Sequence, residues 1–131
     1  MKNLEQIRAL HAHRFWNPKE DDSVGRKRLE EVKGEQGGDV VRGLSSLIIS
    51  NGLLATLAFA KEKGKGYKTF MEEIGRYLGS QGDDGRKLFT RRINTLDEFI
   101  GMLTSNDSLL LQQAADESLA YLAYLKRFRK S

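Results

Sequence analysis

The 131 residues carry 22 Lys and Arg against 18 Asp and Glu, a formal charge of +4, with no cysteine. That length suits one domain able to bury a core without metal or disulfide staples, and the missing thiols exclude a disulfide framework and thiolate chemistry. A mildly cationic surface favours nucleic acid or an acidic protein as partner.

No apolar run approaches the length of a membrane span, and the opening MKNLEQIRALHAHRF is interrupted by charges and lacks the apolar centre of a secretory signal. A cytoplasmic protein without membrane attachment is expected. With one proline and helical periodicity throughout, the chain reads as all-α. We expect a compact bundle of about six helices forming a single domain over residues 1–131.

The first helix is predicted from about Asn3 to Trp16, with Leu4, Ile7, His11 and Phe15 on one face. Asn17, Pro18 and Glu20 read as a cap and first turn restarting a helix at a new angle. Residues 19–39 are charged and glycine-rich and hold only Val24, Leu29 and Val32 for packing, which predicts a weak helix and a flexible segment. Val40, Val41, Leu44, Leu47 and Ile48 then form a stripe that stops at Asn51 and Gly52, a tight joint between helices. Leu53, Leu54, Leu57, Ala58 and Phe59 build an apolar helix leaving through Lys61, Glu62 and Lys63 to a Gly64 cap.

Tyr67, Phe70, Met71, Ile74, Tyr77 and Leu78 recur every three or four residues and predict a further amphipathic helix ending around Gly79 to Gly82. After the turn at 82–85, a short basic helix is expected around Leu88, Phe89 and Ile93. Thr95 with Glu98 reads as a capping box for a helix whose inner face is Leu96, Phe99, Ile100 and Leu103. In the last helix Leu111, Ala115, Ser118, Leu122 and Leu125 share a side, flanked by Ala114 and Leu119. It ends in Lys126, Arg127, Phe128, Arg129 and Lys130, cations placed where the helix dipole is negative and where phosphate can dock.

Little in the chain points to catalysis. His11 and His13 diverge on a helix and do not share a metal; His11 is expected to pack with a local hydrogen bond and His13 to face solvent. The adjacent carboxylates Asp21/Asp22, Glu30/Glu31, Glu72/Glu73 and Asp83/Asp84 suit solvated faces or turns better than acid and base roles. Gly64 and Gly66 lack the lysine and hydroxyl residue that a phosphate loop requires. Arg8 to His13 does match the loose arginine, four residues, histidine pattern of HEPN-type ribonucleases. There the motif lies near the end of a later helix with a polar residue after the arginine; here it lies on the first, followed by Ala9. The basic groups Lys61, Lys63, Lys65, Lys68 and Arg86, Lys87, Arg91, Arg92 offer phosphate contacts that would be independent of base sequence.

LEQIRALHA near the start, VVRGLSSLIISNGLLATLAFAKEKG in the middle and ESLAYLAYLKRF at the end, in that order, resemble the small helical subunit of type III-B CRISPR effector complexes. The family commonly has a proline early in the middle segment and a tryptophan before the final LKRF. This chain has Ser45 or its neighbours and Tyr124 at those places, and residues 19–39 have no clear counterpart.

The resemblance implies a non-catalytic subunit, without cofactor or metal, that stacks with copies of itself along the guide-RNA-bearing backbone and helps to hold target RNA. Its partners would be the backbone and large subunits, guide RNA and target RNA, with cleavage left to another subunit. By motif position it implies Arg42, Lys61, Lys63, Lys126 and Arg127 as RNA-facing or subunit-facing residues; charge alone adds Arg91 and Arg92. A small HEPN-type ribonuclease and a scaffold binding acidic proteins are the competing readings.

Overall fold

The computed structural model describes residues 2–32 and 37–129, which form seven helices and no strand. The architecture is all-α, with one helix more than the six expected. α1 (Leu4–Trp16) starts at a reciprocal cap: Asn3 Oδ1 accepts from Gln6 N, and Gln6 Oε1 accepts from Asn3 N, both at 2.9 Å. α2 is Ser23–Val32, later than Asn17 and Pro18 suggest. Asn17 is consumed in closing α1, donating its backbone N–H to His13 and Arg14 carbonyls and its side-chain amide to His13 O. The acceptor that opens α2 is Asp22, whose Oδ1 takes the Gly25 N–H at 2.9 Å.

The weak helix expected within 19–39 is thus α2, while 33–36 lie outside the described residues. α3 (Gly37–Asn51), α4 (Leu53–Lys63) and α5 (Lys65–Leu78) follow with single-residue joints at Gly52 and Gly64. Those joints have φ of +92° and +72°, a region that favours glycine. α6 (Leu96–Thr104) carries the anticipated box, Thr95 Oγ1 accepting from Glu98 N and Glu98 Oε1 from Thr95 N. α7 (Ser108–Arg127) is capped by Asp107, which accepts from Leu110 N.

α5 is the axis of the fold, packing against α2, α3, α4, α6 and α7, and touching α1 through Phe70 and Tyr77. Phe70, Met71, Ile74, Tyr77 and Leu78 are wholly buried. Around them Leu44, Leu57, Phe99, Tyr121, Leu122 and Leu125 complete one apolar cluster. Trp16 seals the junction of α1 and α7 by donating Nε1–H to Leu125 O at 2.8 Å.

Residues 79–95 form an irregular strap across the end of α5, and the expected short basic helix is absent. Its backbone donors do not bond four residues back along their own chain: Phe89 N–H reaches Leu78 O at the end of α5 at 3.1 Å, and Lys87 N–H closes across the strap on Ser80 O at 3.0 Å. Gln81 Nε2 ties Gly79 O to Phe89 O, and Lys87 has φ of +54°, incompatible with a helix. Phe89 and Ile93 are buried all the same. The apolar spacing that suggested a helix serves a strap equally well, since each side chain meets α5 or α6.

Candidate nucleic-acid interface

α7 is rotated from the face its aliphatic residues define. Its buried positions are Ala114, Glu117, Ser118, Tyr121, Leu122 and Leu125, with Leu111 and Ala115 half-buried. A carboxylate therefore sits inside the apolar seam. Arg8 grips it in two parallel bonds, Nε to Oε2 and Nη2 to Oε1, both 2.7 Å; the Tyr77 hydroxyl donates to Oε2 at 2.6 Å, and Arg86 Nη2 to Oε1 at 3.4 Å. Beside it the Tyr121 hydroxyl donates to Glu73 Oε2 at 2.7 Å, and the Tyr77 and Tyr121 rings stack 3.9 Å apart.

Electrostatics follow the geometry. Burial alone would raise the Glu117 carboxyl, but hydrogen bonds from Arg8 and Tyr77, with the charges of Arg86 and Arg8, hold it below its ordinary value. The Glu117 hydrogen bond tightens the hold of Arg8 on its proton, against burial. Burial first, then Glu117, pushes the Tyr77 hydroxyl up; burial and then Glu73 do the same for Tyr121. This is a structural polar core.

Arg8 is thus committed to Glu117 across 109 positions, while His13 is exposed. His11 is half-buried, its Nε2 2.8 Å from Asp84 O, so its partner is distant in sequence and not local as expected. Among the described residues no group of three or more His, Cys, Asp or Glu is placed to hold a metal. Likewise, no helix among them is long and apolar enough to cross a membrane.

Of the cationic residues singled out from sequence, Arg86 is half-buried against Glu117 and Lys130 lies outside the described residues, whereas Arg42, Lys61, Lys63, Arg91, Arg92, Lys126 and Arg127 are exposed and fall into two sets. Arg42 pairs with Asp39 at 3.5 Å, Lys61 with Asp97 at 2.7 Å and Arg91 with Glu98 at 3.7 Å. Lys61 and Arg91, apart in sequence, are thereby brought together at the first turn of α6. By contrast, Lys63 stands 5.9 Å over the Tyr67 ring, Arg92 borders a cavity, and Lys126 and Arg127 occupy the last turn of α7. Next to that turn Phe128 is 38% exposed and stacks on Tyr124, an aromatic face flanked by cations.

Sequence reading missed Arg14, Arg28 and Arg76, which line the same cavity as Arg92. Glu73, expected with Glu72 on a solvated face or turn, is instead buried because it accepts the Tyr121 hydroxyl, and Glu117 was missed altogether, its only signal being an acidic residue inside an apolar stripe.

No curated protein matches the sequence. The crystal structure of a CRISPR-associated Cmr5 family protein from Thermus thermophilus is similar in fold, with a TM-score of 0.66 and 22% identity over 97% of this chain and 95% of that one. The family model described as CRISPR-associated protein (Cas_Cmr5) matches residues 23–131, from the start of α2 through α7. The chain belongs to the Cas_Cmr5 family of CRISPR-associated Cmr subunits.

Proposed function

We propose that this protein is the non-catalytic small subunit of a type III-B RNA-guided effector, stacking with copies of itself along the guide-bearing backbone and helping to hold target RNA. The observation that carries this reading is the family match over residues 23–131. The exposed cations supply its chemistry: Lys63, Arg92, Lys126 and Arg127 would meet phosphates directly, whereas Arg42, Lys61 and Arg91 would first exchange a surface carboxylate. A single narrow strip of this kind binds weakly, and repetition along a stack would reinforce it.

The ribonuclease reading needs Arg8 as a working group, and Arg8 is held in two bonds by a buried carboxylate. Gentle purification of the tagged protein from its native cell tests the assembly role. Effector subunits and short guide RNAs should accompany it. Recovery alone or as a dimer, with RNA cleavage abolished by His13→Ala, would overturn the proposal.

A further inference from the structure

A cavity of about 260 Å³ lies between the end of α1, α2, α5 and the strap. Arg14, Arg28, Arg76 and Arg92 line it, one from each of those four elements, against the two carboxylates Asp22 and Glu73. Both carboxylates are engaged: Asp22 accepts from Gly25 N, and Glu73 accepts from the Tyr121 hydroxyl. The arginines are less well served. Arg76 Nε lies 3.5 Å from Glu73 Oε1, yet Nε and Nη2 are buried without a hydrogen-bond partner. Among the described residues, the ion pairs around this cavity reach Arg14 and Arg76 but neither Arg28 nor Arg92.

Buried N–H groups without acceptors are costly and rare. Burial weakens Arg76's hold on its proton, Glu73 opposes this, and the like charge of Arg28 adds to it. An anion between these groups would offset that repulsion, and a turn of the Arg76 fork, whose Nε and Nη2 are closed to solvent as they stand, would bring those donors to it. Guanidinium forks converging on a concave space match the several oxygens of a phosphate better than the single charge of a halide. The volume sits below the roughly 300–1,000 Å³ of ordinary ligand pockets, which suits a compact group over a continuing strand.

We propose that this cavity binds a phosphate group, carried by the end of a nucleic-acid strand or by a free nucleotide, with Arg76 as the buried donor and Arg28 and Arg92 as its more exposed partners. It is a site beyond the RNA-holding surface, sharing only Arg92 with it.

The test follows arginine side-chain N–H resonances of the full chain by NMR. Inorganic phosphate is titrated at constant ionic strength against chloride, then adenosine monophosphate, then one short RNA with a 5′-phosphate or a 5′-hydroxyl. Phosphate, and not chloride, should shift Arg76 saturably. The double variant Arg28→Ala/Arg92→Ala should weaken that response about tenfold, the loss of one charged hydrogen bond, with an unchanged far-ultraviolet circular dichroism spectrum. Tighter binding of 5′-phosphorylated RNA than of the mononucleotide assigns the strand end; the reverse order assigns the nucleotide. Absence of a saturable phosphate response, or the same affinity in the double variant, overturns the site. If RNA then binds regardless of its 5′ group, the RNA-holding role stands without this cavity.

Discussion

Glu117 decides more about this molecule than any of its surface lysines. It is 5% exposed, and its acceptors are filled by two arginines and a tyrosine drawn from α1, α5 and the strap. Replacing it by glutamine leaves Arg8 and Arg86 without their counter-charge. Both still reach solvent, at 22% and 23% exposure, so the loss should fall at the lower end for a broken buried pair, about 3 kcal/mol by chemical denaturation.

The pH dependence has a definite sign. A carboxyl held below its ordinary value stabilises the fold above that value, about 4.3, and loses its contribution as pH falls through the lower, folded-state value. Denaturant midpoints of the native protein should therefore drop on acidification below about pH 4. The Glu117→Gln variant should show a flatter profile there; an identical slope would mean that other carboxylates govern acid unfolding. Tyr77 and Tyr121 are raised, so their contribution persists below their ordinary value and fades only at strongly alkaline pH.

Helix boundaries and joints were legible wherever a local rule acts alone. Gly52, Gly64 and the Thr95 box are set by backbone conformation and by hydrogen bonds within a few residues. The strap was not legible, because Leu88, Phe89 and Ile93 fit a helical spacing while the backbone N–H of Phe89 bonds to Leu78 O at the end of α5, a fact no local pattern carries. Gly79 shows how tightly the two are apposed: a Cβ there would lie 2.6 Å from Arg91 O and 2.9 Å from Ile93 N. Gly79→Ala should accordingly cost about 1–3 kcal/mol by overpacking and loosen amide protection in the strap before the helices melt. Unchanged hydrogen exchange at Phe89 would contradict that coupling. In the core, Leu57→Ala and Leu122→Ala should each cost about 2–5 kcal/mol in thermal or denaturant unfolding, since both side chains are fully buried.

At the scale of the whole molecule, the fold class followed from periodicity, and the exposed basic residues could be named from their chain context. Which cations share a neighbourhood could not, because Lys61 on α4 and Arg91 on the strap meet through Asp97 and Glu98 on α6, and the four arginines of the cavity come from four elements. Charge reversal at Lys61 and Lys63 should weaken retention of target RNA by the assembled complex while helicity stays intact. The Lys61 pair with Asp97 is exposed and contributes at most about 1 kcal/mol to stability. Filter binding across a salt series should give a log-log slope of about 0.7 per neutralised phosphate, reduced in the variant. A salt-independent affinity would remove phosphate contacts from the account.

Trp16 is the sole tryptophan, 2% exposed, and its indole N–H is spent on the Leu125 carbonyl, directly before the basic end of α7. The molecule thus carries its own fluorophore at the sealed junction of its first helix with the cationic turn of its last. Emission should be blue-shifted and shielded from iodide while α7 is seated. Any loosening of that terminal turn when neighbours dock would announce itself as a red shift, with no label attached.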